Sequence, residues 1–272
     1  MSHVVPRCAR SFAPPWSRCD GVAETFPNYR TSAVYNTRAK CAASLFEWHT
    51  ETMNAWTMIL QVIVLAVFYT YFLTTRRRDV GFDDSLLFTL FCLFGIAHGV
   101  VATLFHLFMP ISEDEYMFWR KLDTTFASLG FTAAGALVGY YAFSQTFFFT
   151  YLAFLCAVQI FMLYNVSGWA DFFIVRADRT RYVTALMTVG LVLPFVPFVF
   201  LVFSDDSTSA MSFASLVLIP TGLVIFYFKI PETFVPSASF PMSHCVMHGV
   251  VLAVVSLIFF VALSLFDNAK KD

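Results

Sequence analysis

Past residue 54 the chain falls into long apolar blocks separated by short polar breaks. The blocks cover approximately 55–74, 86–108, 124–143, 146–164, 183–203, 211–229 and 242–266. Each is long enough to cross a hydrocarbon layer about 30 Å thick as an α-helix. Helix is the predicted form because backbone groups in lipid must be satisfied within their own segment, and the period-two alternation of barrel strands is absent. The break between the third and fourth blocks, Ala142 to Thr146, sits in a nearly continuous aromatic stretch. The pattern therefore predicts seven spans and admits six. The expected fold is an all-α membrane protein with seven transmembrane helices.

Residues 1–43 differ in kind, being polar and holding six basic side chains, Arg7, Arg10, Arg18, Arg30, Arg38 and Lys40. No apolar run follows Met1, so no cleavable signal peptide is expected. Asp20 and Glu24 argue against a transit peptide. The reading is a cytosolic arm over 1–43, loosely ordered to about Thr37, with a short amphipathic helix then running into Trp48. A seven-helix domain over 44–266 and a short tail over 267–272 complete the chain.

Composition agrees with a lipid environment: 58% of the 272 residues are hydrophobic, 34 are Phe, and 13% are charged, about half the usual soluble share. The six cysteines (Cys8, Cys19, Cys41, Cys92, Cys156, Cys245) show no CxxC spacing and give no disulfide framework. A net charge of −1 with dispersed Lys and Arg excludes nucleic acid as a partner class. Arg76-Arg77-Arg78 reads as a solvated loop beside lipid headgroups.

The distribution of the 17 basic residues sets the orientation. Twelve fall on the N-terminal side: the arm, Arg120, Lys121, Arg176, Arg179, Arg181 and Lys229. Arg76–Arg78, Lys270 and Lys271 fall opposite. The positive-inside bias places the N-terminus in the cytosol and the C-terminus outside.

In such a serpentine, the end of the second span and the starts of the first, third and seventh lie at one leaflet. His106, Asp123, His244 and His248 gather there, joined by Glu51 and Asn54. His244 and His248 are four residues apart and share one helix face. Ionisable side chains at membrane depth cost about 2.5–3.5 kcal/mol each for the charged types and tend to mark sites. Three neutral imidazoles with one open position form the ligand set of a catalytic zinc, which lowers the pKa of a bound water to about 7. Asp123 suits the surroundings of that water.

Each element alone has a plainer reading. The His pair fits a hydrated amphipathic helix end, His106 a satisfied interfacial ring, and Asp123 a helix start favoured by the dipole. His98, two turns from His106, reads as core, and Cys245 points about 100° away from His244 on a 3.6-residue helix. Their joint placement on one side favours the metal.

These residues lie in "SLFEWHTETMNAWTMIL" (44–60), "LFHLF" and "RKLDTT" (104–125), "KIPETFVP" (229–236) and "SHCVMH" (243–248). The set, in this order, resembles the progestin and adiponectin receptor (PAQR) family, relatives of haemolysin III, over about residues 40–266. The resemblance implies seven helices, a cytosolic N-terminus and an intramembrane zinc held at positions matching His106, His244 and His248. It further implies a metal-held water contacting the aspartate matching Asp123. The implied activities are ligand-responsive signalling and, for some members, hydrolysis of the ceramide amide bond. The chain departs from the family at Ala102, where Ser is usual, and at Met58, where His is usual. Thr103 is the nearest hydroxyl to the first departure.

The expected function is thus a PAQR-like receptor that hydrolyses a lipid amide with Zn2+ and Asp123, its ligand being a membrane lipid of the ceramide or sterol class. The alternative is a signalling receptor whose zinc is structural. A transporter is a third reading, disfavoured by the lack of midplane charge pairs and broken helices.

Overall fold

The computed structural model describes residues 30, 34–76, 80–166, 190, 192–204, 207–230, 234 and 242–271. Among these the regular elements are helical, and no strand occurs. They are α1 (Arg38–Ala43), α2 (Thr52–Thr75), α3 (Phe82–Phe108), α4 (Glu113–Ala142), α5 (Gln145–Val166), the short α6 (Val196–Leu201), α7 (Ser207–Phe228) and α8 (Met242–Ala269). Thr52–Thr75, Phe82–Phe108, Thr208–Phe226 and Met242–Ala269 are long and apolar enough to cross a membrane. The chain is an integral multi-pass membrane protein.

Helix boundaries follow local chemistry. The hydroxyl of Thr37 accepts the Lys40 amide and caps α1. Ser112 caps α4 by accepting the Glu115 amide at 3.2 Å, and Glu113, Asp114 and Glu115 sit where the helix dipole favours anions. That polar start is why α4 begins well before the apolar block expected from residue 124. The break expected near Ser144 is present: Phe143 leaves α4 in extended conformation, and Gln145 opens α5. Of the block at 183–203, only the second half is described. There Pro194 and Pro197 accompany a 3-10 turn at Leu193–Phe195 followed by α6. The arm before Arg30, the Arg77–Asp79 loop, the basic loop at 176–181 and most of "KIPETFVP" lie outside the described residues.

α4 is less apolar than its neighbours because its first turns are charged, while its second half is built from small residues that are buried: Ala133, Ala134, Gly135, Ala136 and Gly139. Small side chains let helices approach closely in a membrane. A Cβ on Gly135 would stand 2.6 Å from the Tyr151 hydroxyl and 2.9 Å from Pro194 Cα. α2 and α3 meet in the same way at Gly95 and Gly99, where added Cβ atoms would strike Leu65 and Val62. α3 packs between α2 and α4, and α8 packs on α7, α2 and α4. Their shared core holds Leu65, Phe72, Phe88, Ile258, Phe259 and Phe266, with Phe72 and Phe88 stacked at 4.0 Å.

The two ends of this bundle are closed differently. At one, Arg76 grips Asp267 with two bonds of 2.7 Å, while Asp84 takes Lys270 at 3.1 Å and the Tyr141 hydroxyl at 2.6 Å. At the other, the start of α2, the end of α3 and the start of α8 converge on histidines.

Candidate metal centre

The last turn of α3 carries His106, which is 1% exposed. One turn apart on α8, the rings of His244 and His248 stack with centroids 4.6 Å apart. Nε2 of His106 lies 3.1 Å from Nε2 of His248. One ring nitrogen from each of the three histidines falls within 4.8 Å of the others. The three expected ligands are brought together, from elements far apart in sequence.

The donor chemistry fits a metal. Glu51 Oε2 stands 2.9 Å from Nδ1 of His106. Burial pushes the Glu51 carboxyl up, but the hydrogen bond of His106, the charges that His106 and His244 carry when protonated, and the bond from Asn54 outweigh it and hold the group well below the ordinary carboxylate range. A carboxylate only accepts, so the proton of a neutral His106 is assigned to Nδ1 and Nε2 keeps its lone pair, the tautomer a metal ligand requires. Zinc with Zn–N bonds of about 2.0–2.1 Å needs tetrahedral nitrogens roughly 3.4 Å apart, and the His106–His248 spacing of 3.1 Å lies near that value. The group could hold a metal ion.

The turn before α2 builds the carboxylate's seat. The His49 amide donates to the Thr52 hydroxyl at 2.8 Å, and that hydroxyl donates to the Glu47 carbonyl at 2.8 Å. His49 Nδ1 accepts the Glu51 amide at 3.1 Å, while Nε2 donates to the Ser44 carbonyl at 2.9 Å. Both ring nitrogens of a neutral His49 are satisfied. Burial, aided by the nearby Arg30 charge, pushes its pKa down to about 4. Asn54 then donates to Glu51 at 2.8 Å and reaches Nδ1 of His244 at 3.5 Å.

Arg30 closes the site from the arm. Its guanidinium donates to Ser44 Oγ at 2.9 Å, to the Leu107 carbonyl at 3.0 Å and to the His106 carbonyl. These carbonyls end α3, where a cation both pairs with them and favours the helix dipole.

Asp123 does not join the three histidines. Its Oδ1 is buried without a hydrogen bond and lies 3.5 Å from Nε2 of His98. His98, expected as core, instead belongs to a polar chain in which Gln61 Nε2 meets its Nδ1 at 3.2 Å. Thr103, the nearest hydroxyl to Ala102, donates back to the Gly99 carbonyl at 2.7 Å, which engages its proton within α3. Ala102 and Met58 are fully buried.

The haemolysin-III related family model matches residues 46–259, which covers the turn before α2, all three histidines and the helices between them. The chain belongs to the haemolysin-III related family. It is 24% identical over 212 residues to the progestin and adipoQ receptor-like protein 1 of Caenorhabditis elegans, covering 73% of this chain and 47% of that one. To the adiponectin receptor protein of Drosophila melanogaster it is 25% identical over 228 residues, 78% of this chain and 50% of the relative. An uncharacterized protein of Schizosaccharomyces pombe is 23% identical over 210 residues, covering 74% and 47%. The chain spans about half the length of these curated relatives. The resemblance expected from the four motifs is borne out at family level.

Three participants escaped the sequence reading. In sequence Arg30 reads only as an arm charge, and His49 has no signal of its own inside its motif. Gln61 carried no signal, since one amide in an apolar helix has no periodic partner. For Glu51 the signal was placement alone, a carboxylate at the same leaflet as His106.

Proposed function

We propose that this member of the haemolysin-III related family is a seven-helix receptor-like protein whose three-histidine site holds zinc and hydrolyses the amide bond of a ceramide-class lipid. The observation that carries the metal is the Glu51–His106 hydrogen bond, which leaves Nε2 of His106 bare and facing His248. Bound there, zinc would supply Lewis acidity toward a carbonyl oxygen and make water a stronger acid. The rest of the chemistry belongs to the chain. Asp123 Oδ1, buried and without a hydrogen bond, is the acceptor for the proton of an attacking water. Glu51 and Asn54 keep the rings oriented. The charge distribution supports an N-terminus in the cytosol and a C-terminus outside.

A second reading has its own support. Asp123 stands outside the histidine group, and the Thr103 hydroxyl is engaged within α3. On that reading the metal ties α3 to α8 in a signalling receptor and performs no chemistry.

Fatty-acid release from a ceramide panel separates the two, using purified wild type, Asp123→Asn and chelator-treated protein. The hydrolase reading expects one zinc per chain in wild type and in Asp123→Asn, with turnover about 10²–10⁴-fold lower in the variant. Equal release by all three samples, or none from zinc-loaded wild type, overturns it in favour of the structural metal.

A further inference from the structure

We infer that Gln61 and His98 are positioning residues for Asp123: the glutamine fixes the histidine in its Nε2–H tautomer, and that N–H holds the aspartate carboxylate. The role in turnover rests on the hydrolase reading above; the tautomer and the tie do not.

Because Gly95 has no side chain, α2 comes close enough for Gln61 Nε2 to lie 2.9 Å from the Gly95 carbonyl. A carbonyl can only accept, so the amide nitrogen, and not its oxygen, must face it. The same nitrogen has a second hydrogen, and 3.2 Å away is Nδ1 of His98. An NH2 group can only donate there, so Nδ1 keeps its lone pair and a neutral ring carries its proton on Nε2. Nε2 in turn lies 3.5 Å from Asp123 Oδ1. Fixed in this way, the ring presents a donor to the carboxylate. The opposite tautomer would set a lone pair against a negative oxygen.

Burial makes the arrangement consequential. Gln61 is 1% exposed, and Asp123 Oδ1 has no hydrogen bond of its own. The gap between His98 and Asp123 is about half an ångström longer than a usual N–H···O bond, which a small ring rotation closes. Gln61 and His98 also line a cavity of about 20 Å3 between α2, α3, α4 and α8, beside Gly95, Ala127 and Val255. That is room for about one water, and Gln61 Oε1, buried and without a partner, is an acceptor for it. A chain with a purely packing role here needs none of these polar atoms. The relay of donors runs in one direction, from amide to imidazole to carboxylate, and ends on the group assigned as base.

The test uses full-length protein in lipid nanodiscs, labelled with 15N at histidine and 13C at the aspartate carboxyl. The His98 signals, identified by their loss in His98→Gln, are expected to show a protonated Nε2 and a bare Nδ1. Gln61→Leu should convert His98 to a mixture of tautomers and shift the Asp123 carboxyl signal. His98→Leu should shift that carboxyl signal as well, while His98→Gln, which restores a donor, should return it toward wild type. Zinc content near wild type in each variant establishes that the histidine site remains folded. On ceramide, Gln61→Leu and His98→Leu should lower kcat at least fivefold with KM unchanged, and His98→Gln should recover part of the loss. A protonated Nδ1 in wild type, or an Asp123 signal indifferent to both leucine variants, overturns the proposal. Lack of ceramide hydrolysis in wild type with the expected spectra would instead overturn the hydrolase reading alone.

Discussion

Nδ1 of His106 and Oε2 of Glu51 lie 2.9 Å apart across a buried contact between the end of α3 and the residue before α2. This bond decides which nitrogen of His106 faces His248. Glu51→Gln keeps the size but offers an amide that can donate as well as accept, so the tautomer is no longer fixed. Loss of such a partner typically weakens metal affinity about 10–100-fold. Competition with a fluorescent zinc chelator should find that drop in Glu51→Gln. Loss of zinc altogether is expected for His106→Ala, His244→Ala and His248→Ala, and Cys245→Ser should keep it. Unchanged affinity in Glu51→Gln would refute the tautomer assignment.

Arg30 bonds to two carbonyls at the end of α3, one of them on His106 itself. Arg30→Met keeps much of the buried stem and deletes the donors. Leaving buried carbonyls unpaired costs about 1–3 kcal/mol, so thermal unfolding in detergent should begin several degrees lower. Zinc should also dissociate faster, because the backbone beneath a ligand is loosened. An unchanged off-rate with a lowered melting point would confine Arg30 to stability.

His49 is held neutral, with its pKa pushed down to about 4 by burial and the Arg30 charge, against about 6.5 in an unfolded chain. Between those values the unfolded state binds the extra proton. The contribution is thus complete above about pH 6.5 and is lost as the pH falls toward 4, by at most about 1.4 kcal/mol per pH unit. In chelator-treated protein, the fall in melting temperature from pH 7 to pH 4.5 should be shallower for His49→Gln than for wild type. Parallel curves would mean the ring is not the titrating group.

The proposed orientation, N-terminus in the cytosol and C-terminus outside, rests on twelve basic residues against five. Tags at the two ends should label on opposite sides of a selectively permeabilised cell. Labelling of both from one side would mean an even number of spans.

Much of this was legible in the chain. The apolar blocks located α2, α3, α5, α7 and α8 to within a few residues, because exclusion from water acts on each segment by itself. The start of α4 was missed since its first turns are polar and owe their helicity to Ser112 and three acidic residues. The gathering of His106, His244 and His248 followed from counting crossings, which needs no contact detail. What sequence did not disclose was pairing. That Glu51 meets His106, that Arg30 reaches the same turn, and that Gln61 meets His98 depend on how closely two helices approach. Glycines at 95 and 99 permit that approach without announcing a partner.

The salt-bridged end of the bundle bears on motion. α8 is held at its first turns by the packing of His244 and His248 against His106, and near its last by Asp267 to Arg76 and Lys270 to Asp84. A rod of 28 residues, about 42 Å long, clamped at both tips cannot slide along its axis unless one clamp opens. It can bow or twist between them. Any message carried along α8 in this state is therefore a change of curvature, and a pistoning stroke becomes available only after the histidines or the ion pairs let go.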